Sequence, residues 1–463
     1  MIWTVAVLQC VLAVPPFIPS ADWPAESVVI RGEEFEVWPA HELIRRGLDV
    51  QLLSKSSNAA PIYIDAMNKY DDPPDGMGPA VDYAVAHTWP TGEPDFAAYM
   101  DRSSTRQTLA LAVKASRMDR CQFPYFGDSQ GSILSVMLPN LTGYRHIGKM
   151  LIADGRRLEF EGDFQGALDR YATTMRMASH VSQGITLIET LVGLTLWTFG
   201  ADSIADMAMR DDVPVTVLEA ARSELRRLSD HMPGIERGIE MERTFATLIV
   251  DELCSKPFRL LSNLAVLTSG ENGNGMYLVN VEPQADHPEA VLELWLGRLL
   301  LPDETVKHHI HDYFDAMFDH DETELDPFDS EGYISENVPR WDVVSRTVLP
   351  SLSRVVQLER RMRAVTMLAQ TVVDVRLRLV QSGDDLSPRT SVASVISKSI
   401  KPDPFSKNGL VFRADEGRWI VYSVGPNLVD DGGTSGEKWD QFDIVYRYPP
   451  PPAPPFTRAD DAR

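Results

Sequence analysis

Cysteine is scarce: Cys10, Cys121 and Cys254 are the only 3 in 463 residues. No two of them form a C-x-x-C pair, which excludes a disulfide framework and makes thiolate ligation of a metal a poor reading. Cys121, within RCQFPYF, reads as a small packed hydrophobe rather than a nucleophile. Positive charge is short as well. Lys and Arg total 44 against 67 Asp and Glu, a formal net charge of −23. Nucleic-acid backbones and anionic lipid heads are poor partners for such a surface. Common enzyme signatures are missing too: there is no Walker loop, no G-x-G-x-x-G after a strand and no G-x-S-x-G elbow. DSQGSIL at 128–134 sets a serine among small residues, but at the wrong spacing for the elbow. The chain reads as non-catalytic.

Two apolar runs stand out. Residues 2–14 match the apolar core of a signal peptide in length and fall short of the roughly 20 residues of a membrane span. No basic stretch precedes them, Ser20-Ala21 could precede a cleavage site, and Gln9 spoils a lipobox at Val7–Cys10. Residues 1–21 are therefore read as a signal or anchor segment, and the protein as exported or envelope-associated. The second run, ITLIETLVGLTLWTFGA at 185–201, carries Glu189 and continues into the amphipathic DSIADMAMRDD. That combination predicts a buried central helix rather than a membrane span. Glu189 then needs a partner, and Arg243 in EMERTF is one candidate on the next long helix.

From about Glu42 to Gln381 apolar residues recur at three- and four-residue steps, which predicts helices, with a body spanning 22–345. Proline- and glycine-rich breaks separate them at 71–79, 89–95 and 268–275, the last expected as a mobile loop. In residues 151–179, Gly155, Leu158, Gly162, Ala167 and Tyr171 fall at tetratricopeptide-like spacing. The small residue lets two helices cross closely, Gly162-Asp163 makes the turn, and Ala167 with Tyr171 packs back. Thr174 and Ser179 depart from that repeat, residues 58–66 look like a degenerate helix of the same sort, and no second clean copy follows. The body is expected to be an irregular helical array.

VKHHIHDYFDAMFDHDE at 306–322 sets His308 with Asp312 and His311 with Asp315 four residues apart, one helical face for each pair. Such pairs can bind zinc, and a zinc-dependent hydrolase built on His308, His311 and Asp315 is the rival functional reading. No H-E-x-x-H is present, and His309 and His320 fall on other faces, so a structural role is preferred.

The C-terminal region, 346–448, opens with a helix of roughly 30 residues expected from near Leu349, on a stripe that includes Val356, Met362, Val365, Leu368, Val372 and Leu377. After SGDDLSPR and a serine-rich connector, GLVFR and RWIVYSV read as a hairpin and FDIVYRY as a third strand. Between them YSVGPNLVDDGGTSGEKWDQFDI gathers Asn427, Asp430, Asp431, Glu437, Asp440 and Asp443, with Lys438 the single lysine to offset them. Packing carboxylates together costs on the order of 1 kcal/mol per pair at 4 Å in water. A hard cation such as Ca²⁺, which takes six to eight oxygens, reverses that sign. Metal ligands are expected among Asn427, Asp430, Asp431, Asp440 and Asp443; the plain alternative is a solvated acidic loop in a metal-free structural subunit.

The order of these pieces is similar to the globular head of the major pseudopilin of type II secretion. The matching residues are Asp403-Pro404-Phe405, Leu410 to Arg413, Tyr422-Ser423, Gly425, Asn427, Gly432-Gly433 and Asp443-Ile444, within about 100 of the 463 residues. In that family the loop binds one Ca²⁺, so the resemblance implies the same for the oxygens above. The pseudopilin leader and hydrophobic spine have no counterpart here, so polymerisation as a pilin is not expected. The whole chain also resembles a large group of uncharacterised bacterial proteins sharing EGD-x-x-x-AL and a DPFS…YSVG…DDGG…DI ending.

The tail, YPPPPAPPFTRADDAR at 448–463, is expected as a spacer, a ligand for an aromatic groove or a free end. The expected fold is thus mainly α, a helical array followed by a small α+β head with a three-stranded antiparallel sheet. The expected function is an exported or envelope interaction scaffold with a calcium-stabilised head, preferring basic or neutral protein partners.

Overall fold

A computed structural model of the protein describes residues 26–127, 132–255, 303–320, 325, 328–340, 342–381, 402–415, 418–436, 438 and 440–456. The segment at 1–21, the loop at 268–275, the connector after Gln381, Glu437 and the tail beyond 456 lie outside the described residues.

The chain starts with a hairpin that the sequence reading missed, β1 (Ser27–Ile30) and β2 (Glu33–Glu36), in antiparallel register with Val28 opposite Phe35. Arg31 and Gly32 turn it with positive φ at both positions, as a tight two-residue hairpin requires. Helices follow: α1 (Ala40–Arg45), α2 (Ala60–Lys69), α3 (Gly78–Ala86), α4 (Pro94–Met100) and α5 (Ser103–Ser116). The longer ones are α6 (Asn140–Glu161), α7 (Phe164–Val181), α8 (Leu187–Ala208), α9 (Val215–Ser229) and α10 (Glu236–Ser255). Beyond them come α11 (Asp303–Asp319), α12 (Ser330–Asn337), α13 (Val343–Val348) and α14 (Ser353–Gln381). The protein is mainly helical, as the periodicity predicts.

The repeat-like spacing corresponds to α6 and α7. Gly162 ends α6 in the left-handed region at φ 84°, and the Asp163 carboxylate caps α7 by accepting the Gly166 N–H at 2.9 Å. A Cβ on Gly155 would sit 2.3 Å from the Tyr171 ring, so only glycine permits this crossing. Ala167 and Tyr171 are both fully buried against α6.

Helix α8 is buried on nearly every side, chiefly between α7 and α14. Among the described residues no helix is long and apolar enough to cross a membrane. The candidate Arg243 is not the partner of Glu189. Thr186 and Glu189 form a capping box at the α8 N-terminus, the Thr186 N–H and hydroxyl donating to Glu189 Oε2 at 3.1 and 2.9 Å. The Tyr125 hydroxyl adds a bond at 3.0 Å. Arg243 instead reaches Asp315 at 2.8 Å, between the rings of Phe314 and Phe318.

The C-terminal strands β3 (Val411–Asp415), β4 (Arg418–Ser423) and β5 (Ile444–Tyr448) form the expected antiparallel sheet, in the order β3-β4-β5. The boundary expected at 345/346 runs through one continuous apolar core. Helix α14 packs more extensively on α8 and α9 than on the sheet. Trp197 on α8 donates to the Thr366 hydroxyl of α14 at 2.8 Å, and Tyr446 on β5 donates to Asp202 of α8. Residues 449–455, read as a spacer, an aromatic-groove ligand or a free end, are exposed, and the segment touches α3 at its end: the Tyr83 hydroxyl donates to the Pro454 carbonyl at 2.6 Å, and Phe456 meets the Tyr83 ring edge-on at 5.2 Å.

Candidate functional site

The acidic loop hangs between β4 and β5, and its base is held by a residue outside it. Asp403 is buried, and its carboxylate accepts the Phe405 N–H at 3.0 Å, the Ser423 hydroxyl at 2.7 Å and the Val424 N–H at 3.1 Å. Burial raises its pKa against those three donors. The DPF turn and the YSVG strand end are thereby one unit. Gly425 follows at φ 74°, where a Cβ would lie 2.4 Å from the Phe442 carbonyl oxygen. Only glycine lets the two sides of the loop approach this closely.

Within the loop the expected ligands divide. Asn427 Nδ2 donates to Asp431 Oδ2 at 2.9 Å and to the Gln441 carbonyl at 2.8 Å, so an amide, an acid and a backbone oxygen meet. Asp443 is buried beside them and accepts the Gly433 N–H at 2.7 Å and the Asp431 N–H at 3.3 Å; burial raises its pKa. Asp430 turns away. It accepts from Gly432 N–H and Tyr422 hydroxyl, both at 2.9 Å, and faces Arg413 at 3.6 Å; the Gly432 bond and then the Tyr422 bond lower its pKa. Asp440 is half-buried on the return turn. Backbone N–H groups and Arg413 therefore do part of the charge neutralisation that the sequence assigns to a cation.

Among the described residues no group of three His, Cys, Asp or Glu side chains is placed to hold a metal. Where Asn427, Asp431 and the Gln441 carbonyl meet, two oxygens accept from the Asn427 amide nitrogen, so a hard cation would find three oxygens there only with that amide turned over. Exchanging the Asn427 amide oxygen and nitrogen, which have nearly the same shape, sets Oδ1 beside the other two oxygens. The cost is the Val429 N–H bond to Oδ1, now 3.2 Å.

The histidine helix is α11. His308 is 72 % exposed and lies 3.4 Å from Asp312, as the i,i+4 spacing predicts, and His311 is exposed. Asp315, the third member of the zinc reading, is committed to Arg243. His309, which the spacing set aside, has the strong contact: its Nδ1 lies 2.6 Å from Oδ2 of the fully buried Asp342, the N-cap of α13. Cys121 is 1 % exposed, and burial pushes its thiol pKa up, away from nucleophile chemistry.

One feature invisible in the sequence is a groove of about 620 Å³ among the ends of α5, α7 and α9 and the start of α10. Arg117, Arg176, Arg227 and Arg237 line it, with Asp119 and Glu236. They come from distant stretches, so no local pattern announces the groove. No family model, curated protein or solved structure matches this chain.

Proposed function

We propose that the protein is a non-catalytic, envelope-associated or exported interaction scaffold, with a C-terminal sheet region like a pseudopilin head that calcium stabilises. The observation that carries the reading is the α6–α7 pair, whose Gly155–Tyr171 crossing repeats the packing logic of helical-repeat scaffolds that present surfaces to other proteins. The net charge of −23 favours basic or neutral partners over nucleic acid and anionic membrane.

The full-length chain, immobilised and exposed to a cell-envelope extract, should retain protein partners at low salt. It should lose part of them near 1 M salt, where the screening length falls to about 3 Å. Recovery of nucleic acid alone, or of a small molecule that is turned over, overturns the reading.

Calcium would be held by Asn427, Asp431 and the Gln441 carbonyl, where it supplies the charge that crowded oxygens lack. Calcium at 100 times its Kd should add about 2.7 kcal/mol to the transition that includes the sheet. Calorimetry of the full chain with calcium and with chelator measures this, and superimposable transitions remove calcium from the proposal.

A further inference from the structure

We infer that the groove among α5, α7, α9 and α10 receives a local carboxylate-bearing peptide segment of a protein partner that is basic or neutral overall, an inference that rests on the protein-binding reading above. Acids outnumber Lys and Arg by 67 to 44 in the chain, yet four guanidinium groups and two carboxylates line this groove. The arginines are braced from behind. Glu224 holds Arg227 at 2.6 Å and also binds Arg176, while Asp169 is shared by Arg117 at 3.4 Å and Arg176 at 3.9 Å. Asp49 holds Arg237 at 2.6 Å.

Shared bracing fixes the guanidinium planes without using all their donors. Each guanidinium has five N–H groups, and the Arg117 and Arg227 side chains stay 63 % and 53 % exposed. Glu224, Asp169 and Asp49, with Asp119 and Glu236 of the lining, set five carboxylates against the four guanidinium groups, and the C-terminal ends of three helices add to them, so the groove has no net positive charge. Recognition therefore works through charge-assisted, fork-shaped hydrogen bonds rather than a broad positive field, the geometry that suits a carboxylate. The volume suits a few residues.

The test uses the full chain and a fluorescent tetraglutamate peptide with a free carboxy terminus, followed by anisotropy. Saturable binding is expected, with none for a tetraglutamine amide. Affinity should fall at least tenfold in the Arg117→Gln/Arg227→Gln double variant and also in the double lysine variant, which keeps charge but loses the fork. Arg117→Gln alone, at the most exposed and weakest-held position, serves if the double variant melts early. Absence of saturable binding, or unchanged affinity in the variants, overturns the inference. Envelope partners captured equally by the double variant overturn the groove assignment while leaving the scaffold reading intact.

Discussion

Replacing Asp403 with alanine should destabilise the protein by about 4 kcal/mol, among the largest effects of any single polar substitution in the chain. The carboxylate is buried and holds three donors, the Phe405 and Val424 N–H groups and the Ser423 hydroxyl. Its loss strands donors in a dry site, at about 1–3 kcal/mol each where water cannot reach them. Asp403→Asn keeps the shape and one acceptor, so it should cost roughly half as much. Urea unfolding of the full chain, followed by tryptophan fluorescence, measures both, because Trp419 lies on β4 of the same sheet. A loss below about 1 kcal/mol for the alanine variant would show that this carboxylate does not hold the loop.

The second large effect is on pH. Stability should fall by about 2 kcal/mol between pH 5 and pH 7. Burial pushes Glu189 and Glu242 up to about 7 from an ordinary 4.5. Across that window the folded chain holds protons that the unfolded chain has released, so rising pH favours unfolding, by about 2 kcal/mol for each residue. His180 acts oppositely. Its Nδ1 accepts from the Tyr63 hydroxyl and its Nε2 donates to the Met118 carbonyl, which fixes the neutral ring; burial lowers its pKa from 6.5 to about 4. The unfolded histidine takes up a proton below 6.5, so rising pH returns about 2 kcal/mol. Asp202, which burial pushes up to about 6, adds to the two glutamates, while His87 and His146, lowered by burial, add to His180; the carboxyls outweigh the histidines, and the self-repulsion of an acidic chain adds in the same direction. Glu242→Gln keeps an acceptor for the Leu187 N–H and should reduce the slope by about 2 kcal/mol over this window. Denaturant titrations at pH 5, 6 and 7 decide this, and a stability that climbs with pH would contradict it.

What the sequence made legible follows from how local each signal is. The central helix α8 announces itself because 185–201 is apolar around its whole circumference. The β3–β5 sheet is readable from β-branched and aromatic runs broken by glycine. The partner of Glu189 is also local, since T-x-x-E marks a capping box, and it takes the place of a salt bridge to a distant arginine. The β1–β2 hairpin hid behind its own shortness, with an Arg-Gly turn between strands of four residues. The other misses depend on distance. Asp315 meets Arg243 across 72 positions, and the groove arginines come from three helices and a helix start. Asp403 enters the sequence reading only through the Asp403-Pro404-Phe405 match. Only the return of β4 shows that it anchors a strand twenty residues later.

The packing of α14 into the space beside α8 has a consequence for how the chain is made. About 170 residues separate the end of α8 from the end of α14, the helix that covers its far side. At about 5–20 residues per second of synthesis, α8 waits roughly 10–35 s for that cover. Throughout that interval an almost wholly apolar helix is ready while its lid is still being translated, so the nascent chain is a natural client for a holding chaperone. The same timing means that a chain stopped between Ala208 and Ser353 keeps the α14-facing side of α8 uncovered for good, a surface that invites aggregation.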